Sequence, residues 1–125
     1  MNNEEMLAKV DHTLLKPYAT WADIRQICED AIAYHTATIC IPPSYIGRIR
    51  EAYGDQVTIC TVIGFPLGYQ VTEVKVAEAA KLIAGAGGIA VLAHPMELKM
   101  GEMTLESLVH EWHGQGLAGI EVYQI

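Results

Sequence analysis

The chain has 125 residues, of which 51% are hydrophobic and 18% charged, a size and balance suited to one ordinary folded domain with no room for a second. Its 8 basic and 15 acidic side chains give a formal charge of -7, which argues against nucleic acid or an anionic membrane as a partner. The opening Met1-Asn2-Asn3-Glu4-Glu5 is polar and acidic where a secretory leader is basic and then apolar, and no apolar run approaches the ~20 residues that cross a bilayer, so a cytoplasmic location is expected.

In chain order, a short helix is expected near Glu4 to Ala8, followed by a strand from Val10 to Leu15. Thr20 then stands before Trp21-Ala22-Asp23 as a cap with an acid three positions on, and Ile24, Ile27, Cys28, Ala31 and Ile32 follow on one helical stripe. A second strand, Ala37 to Ile41, leads to a shorter helix opened by Pro43-Ser44, with Ile46, Ile49 and Tyr53 on one face. Val57 to Ile63 reads as the third strand, and Thr72-Glu73 opens a helix carrying Val76, Ala79, Ala80 and Ile83. Ile89 to Ala93 is the fourth strand. Thr104 caps a last helix with Leu105, Leu108, Val109 and Trp112, and Gly119 to Tyr123 completes the series.

The strand candidates are short, apolar and barely alternating, as strands covered on both faces are. Strands separated by a helix and a few loop residues pair in parallel. Residues 1–125 are therefore expected to form a single α/β domain, a five-stranded parallel sheet with alternating helices. Eight such units close a barrel with about 250 residues, so this length predicts a partial, half β/α barrel, or a rearrangement into an open doubly wound sheet. Bare edges and a bare concave face predict self-association into a homo-oligomer, with a dimer as the simplest form.

Cys28, Cys40 and Cys60 are odd in number and lie in apolar segments, which reads as three reduced thiols; no Cys-x-x-Cys or Cys/His cluster supports a structural zinc site. Among the lysines, Lys9, Lys75, Lys81 and Lys99 fall on helices or in the Met96 to Met103 loop, and only Lys16 follows a strand directly, where Pro17 marks an exposed turn. The Gly64-Phe65-Pro66-Leu67-Gly68 loop joins a strand to a helix, so Gly64, Gly68 and Thr72 are candidates for holding an anion on backbone N–H groups. Gly85-Ala86-Gly87-Gly88 precedes a strand and reads as a plain loop. His94, ending a strand before Pro95, and Glu121 on the last strand are weak metal candidates, and His110 and His113 share a helix face three apart without further ligands. No cofactor and no assigned metal are expected.

The segments Asp11-His12-Thr13-Leu14-Leu15-Lys16-Pro17, Ala37-Thr38-Ile39-Cys40-Ile41-Pro42-Pro43-Ser44-Tyr45 and Val57-Thr58-Ile59-Cys60-Thr61-Val62-Ile63-Gly64-Phe65-Pro66-Leu67-Gly68, followed by Thr72-Glu73-Val74-Lys75, resemble deoxyribose-phosphate aldolase. That is a family of Schiff-base aldolases with a TIM-barrel fold. The resemblance implies that Asp11 faces the barrel interior and assists a proton relay, and that Cys40 lies near the substrate. It also implies a later catalytic aspartate, a Schiff-base lysine with a second lysine to tune it, and a phosphate-binding glycine segment, for which this sequence offers no match.

From about Ala79 onward, Ala86-Gly87-Gly88-Ile89-Ala90-Val91-Leu92-Ala93-His94-Pro95 and Gly116-Leu117-Ala118-Gly119-Ile120-Glu121-Val122-Tyr123 are similar to the polymerase and histidinol phosphatase (PHP) type of metal-dependent phosphoesterase. The two resemblances together predict a recombined or engineered chimera, aldolase-like over 1–80 and phosphoesterase-like over 81–125, joined within the helix from Thr72 to Ala84. With the lysines missing, Asp11 and Cys40 read as vestigial, Asp11 being a buried carboxylate bonded to a hydroxyl such as that of Thr13. The expected function is a scaffold without catalysis; the alternatives are a residual class I aldolase, a metal-dependent phosphoesterase, or a module binding a phosphorylated ligand.

Overall fold

The structure is a computed structural model that describes residues 1–86, 88–92, 104–114 and 117–120. The chain divides into two compact units, Met1–Gln70 and Val71–Ile125.

The first unit begins with α1 (Asn3–Leu7), where Asn2 and Glu5 form a reciprocal capping box, and no residue of this helix is buried. Strand β1 (Asp11–Thr13) follows, shorter than the expected Val10 to Leu15, although Leu14 extends its ladder by donating its N–H to the Cys40 carbonyl at 2.9 Å. Helix α2 (Trp21–Tyr34) starts where the cap pattern predicts: the Thr20 amide donates to Asp23 Oδ2 at 2.7 Å, and the Asp23 amide donates back to Thr20 Oγ1 at 3.3 Å. These contacts satisfy two of the donors that a helix start leaves without partners. The helix ends on His35 in the left-handed region, φ 54°, its N–H closing on the Ala31 carbonyl.

Strand β2 (Thr38–Ile41) leads through a 3₁₀ turn, Pro43–Tyr45, into α3 (Ile46–Tyr53). Gly54 ends α3 at φ 57°, a conformation open to glycine and strained for other residues. Arg50 holds the exit loop by donating to the Gly54 and Val57 carbonyls at 2.8 and 3.2 Å. Strand β3 (Ile59–Thr61) is again shorter than expected.

The three strands lie in the order β1-β2-β3, each pair parallel, with Asp11 opposite Thr38, Thr13 opposite Cys40, and Cys40 opposite Cys60. Sequential order with helical connections is the arrangement of a β/α barrel; a doubly wound sheet reverses direction partway. The core lies on one face of this sheet. It consists of Ile24, Ile27, Cys28 and Ala31 of α2, Ile39 and Ile41 of β2, Ile49 of α3, and Val57, with Ile32, Ile46, Tyr53 and Ile59 packed around it. The helical stripe read from the sequence is thus the buried stripe of α2. Ile24, Ile39, Ile41 and Ile49 are fully buried, and each such side chain contributes about 1.5–3 kcal/mol.

The second unit contains α4 (Thr72–Ala86), β4 (Ala90–Leu92), α5 (Leu105–Gly114) and β5 (Leu117–Ile120). Thr104 caps α5, its Oγ1 accepting from the Ser107 amide at 3.2 Å. Strands β4 and β5 pair in parallel. On α4, Val76 of the expected apolar stripe is exposed and Ala79 half-buried. Alternating parallel strands and helices, five of each strand and α-helix among the described residues, give the predicted α/β class, with ladders of three and two strands. No helix among the described residues is long and apolar enough to cross a membrane.

Candidate functional site

A strand sends successive side chains to opposite faces, so the register of β1-β2-β3 decides which residues meet away from the core. Ile39 and Ile41 point to the helices, and Cys40 between them points the other way. Asp11 and Thr13 on β1, Thr38 and Cys40 on β2, and Cys60 on β3 share that second face. There, one ligand atom each from Asp11, Cys40 and Cys60 lies within 4.8 Å of the others.

Asp11 departs from its sequence reading in two ways. It is exposed, where a buried carboxylate was expected, at the first residue of β1, an outer strand of the β1-β2-β3 sheet. Its hydroxyl partner is Thr38, which donates to Asp11 Oδ1 at 2.6 Å from the neighbouring strand, whereas Thr13 turns its hydroxyl to the Asp11 backbone carbonyl at 3.0 Å. A residue two positions along the same strand is too far for easy side-chain pairing, while the strand opposite brings Thr38 into register.

Cys40 is buried at 6% exposure, although it stands outside the helix-side core cluster. Burial pushes its thiol up to about 12, with further contributions from Cys60 and from the Asp11 charge. The Cys60 thiol is also raised, first by burial and then by Asp11. Both sulfurs therefore carry their protons at neutral pH, which makes them poor nucleophiles as they stand. Cys28, on the helix side, is raised by burial as well. All three cysteines are free thiols, as the sequence reading expected.

Cys60 is the member of the cluster that sequence reasoning passed over. The signal was present in a repeated tripeptide: Thr38-Ile39-Cys40 and Thr58-Ile59-Cys60 occupy consecutive strands, and the register aligns Ile39 with Ile59 and Cys40 with Cys60.

Lys16, Gly64 and Gly68, the other candidates of the first unit, lie in turns of the chain. Lys16 is exposed in a turn closed by the Ala19 N–H donating to the Lys16 carbonyl at 3.0 Å. Gly64 and Gly68 both adopt positive φ, 65° and 64°, and the Gly68 N–H donates to the Gly64 carbonyl at 2.7 Å. That amide is committed inside the loop, contrary to the expectation that it faces an anion. Thr72 opens α4 and belongs to the second unit. His113 Nδ1 lies 3.1 Å from the Leu117 carbonyl, which occupies the ring locally and separates it in role from His110. His94 and Glu121 lie outside the described residues.

The chain is 56% identical over 100 residues to deoxyribose-phosphate aldolase of Clostridium botulinum (strain Alaska E43 / Type E3), a match covering 79% of this chain and 45% of that protein. It is 42% identical over 113 residues to deoxyribose-phosphate aldolase of Streptococcus pyogenes serotype M5, covering 89% of this chain and 51% of the relative. Among solved structures, the tetrameric deoxyribose phosphate aldolase from Aeropyrum pernix superposes with a TM-score of 0.70 at 28% identity, over 95% of this chain and 53% of that one. No protein-family model matches the chain.

These matches overturn the chimera. An aldolase alignment that covers 89% of the chain cannot leave residues 81–125 to a second family, so the phosphoesterase assignment and the junction between Thr72 and Ala84 both fall. Short strand-end motifs such as Ala-His-Pro recur among α/β folds and carried too little information to define a family. The reading as an engineered or recombined scaffold without activity falls with it, because the relatives at 42–56% identity are aldolases. The chain resembles deoxyribose-phosphate aldolase, and it spans about half the length of the curated relatives it matches.

Proposed function

We propose that the chain is half of an aldolase-type β/α barrel that cleaves or forms a carbon–carbon bond in a deoxyribose phosphate, with Asp11 as its proton-handling carboxylate. The observation that carries this reading is the placement of Asp11 on the face of the sheet opposite the helices, its carboxylate held by Thr38 at 2.6 Å, with Cys40 beside it. In a barrel that face lines the interior, which opens toward the substrate site at the carboxyl ends of the strands.

A Schiff-base aldolase needs an amine that condenses with the substrate carbonyl, releasing water, before the carbon–carbon bond breaks and a hydroxyl proton leaves. Lys16 is exposed in a turn, so the amine is assigned to polypeptide corresponding to the other half of the relatives' length. We take residues 1–125 as one α/β domain of such a barrel; a 113-residue alignment, which must run past the division at residue 70, supports this. Self-association belongs to the same proposal, supported by the tetramer described for the Aeropyrum pernix aldolase, with a dimer as the simplest form.

The test is to mix the chain with the part of the Clostridium botulinum aldolase that it does not match and to follow cleavage of deoxyribose phosphate. Cleavage is expected, with a borohydride-trapped adduct on a lysine, and Asp11→Asn should lower the rate by about 10²-fold or more. Absence of both cleavage and adduct overturns the aldolase reading, and cleavage indifferent to Asp11→Asn removes Asp11 from its role. Light scattering of the chain alone reports on self-association.

A further inference from the structure

We propose that Asp11, Cys40 and Cys60 form a binding site for a divalent cation of the zinc class, with one carboxylate and two thiolate ligands. The site is independent of the aldolase reading, since it requires only the first unit and its three strands.

The geometry comes from the register. Cys40 and Cys60 are opposite one another on parallel strands, and Asp11 lies two positions before Thr13, the residue opposite Cys40. A period of two therefore brings all three side chains to one face. Their ligand atoms lie within 4.8 Å of one another. Ligands bound at about 2.0–2.3 Å to a tetrahedral ion stand roughly 3.5–4 Å apart, so closing on the ion takes side-chain rotation and leaves the strands in place. Thr38 supplies the outer support, its hydroxyl fixing Asp11 through Oδ1 at 2.6 Å. Metal-bound carboxylates are commonly oriented in this way by a hydrogen bond from a neighbouring group.

The donor set selects the ion. Two sulfurs favour zinc or cadmium and disfavour magnesium and calcium, which take oxygen ligands. Two metal–sulfur bonds form as two S–H bonds break, and the two protons pass to solvent. Three protein ligands leave a fourth position for water. An ion here engages the Asp11 carboxylate directly, so it would compete with any proton transfer by that group.

The experiment is a cadmium titration of the reduced chain, read by the ultraviolet thiolate-to-metal charge-transfer band and by proton release. The wild type should develop the band with about two protons released per ion, and magnesium should produce neither signal. Cys28→Ala should keep the band, because Cys28 faces the helix-side core. Cys40→Ala and Cys60→Ala should each lose most of it, and Asp11→Asn should weaken binding by at least about tenfold. Failure of the wild type to show the band with cadmium in excess overturns the site without recourse to any variant. A band that survives in the Cys40→Ala/Cys60→Ala double variant also overturns it, by placing the ion elsewhere. Because the readouts involve no sugar phosphate, they stand or fall separately from the aldolase test.

Discussion

The two faces of the three-stranded sheet are made from the same short strands, yet they have opposite characters. On the helix side, Ile39 and Ile41 are fully buried against Ile24, Ile27 and Ile49, while on the other side Asp11 is exposed and the thiols of Cys40 and Cys60 stand beside it. Moving by a single residue along β2, from Ile39 to Cys40, passes from the helix-side core to the face that carries Asp11 and Cys60. The difference shows that one strand can present a packed face and a polar, thiol-bearing face at once, because the pleat separates the two sets of side chains.

The largest expected effect tests that division of labour. Ile39→Ala should destabilise the fold by about 2–5 kcal/mol, the range for truncating a fully buried aliphatic side chain. Cys60→Ala on the opposite, half-buried face should cost less than about 1 kcal/mol. Both are measured by urea denaturation, and equal losses would break the comparison between faces.

A second measurement sharpens it through pH. The native Cys40 pKa, pushed up to about 12 from an ordinary 9.0, means that the folded state holds this proton more tightly than the unfolded chain does. Below 9.0 the two states bind it equally and stability is unaffected by this group; as pH rises from 9.0 toward 12, the unfolded state ionises first and stability falls. Denaturation midpoints should therefore decline over this alkaline range and decline less in Cys40→Ala. Alkylation of native Cys40 below pH 9 should be slower than that of an unfolded control by up to about 10³-fold, following the thiolate fraction.

The smallest effect concerns the helices. Thr20→Ala removes the cap of α2, a helix that packs on the sheet, and should cost about 1 kcal/mol of global stability. Asn2→Ala removes the equivalent box from α1, which buries no residue, and should change global stability by less than about 0.5 kcal/mol. The partner in the α2 box, Asp23, has its pKa lowered chiefly by the Thr20 hydrogen bonds. Its contribution is therefore present above the ordinary carboxylate value of 3.8 and fades as pH falls through the lower native value.

Much of the first unit was legible because its signals are local. The Thr20 cap, the Ile24-Ile27-Cys28-Ala31 stripe and the Ile46-Ile49-Tyr53 face each span a few helical turns, and each appears where the pattern placed it. Strand ends were less legible: β1 and β3 are shorter than their apolar runs, although Val10, Leu14 and Thr58 just beyond them still hydrogen-bond to the neighbouring strand. The family boundary was misread for a related reason, since two short motifs after residue 86 were given the weight that only a long alignment can bear.

By itself, the sequence determined the α/β class, the helix starts and the alternation of strands with helices, because caps and periodicities act between residues close in the chain. Only the tertiary structure decided that Cys60 would stand beside Cys40, and that Thr38 rather than Thr13 would hold the Asp11 carboxylate. Parallel strands are joined by whole helices, and no short-range pattern sets which residue of one strand faces which residue of the next. That register is settled when α2 and α3 bury Ile39 and Ile41, and the cluster on the opposite face follows from it.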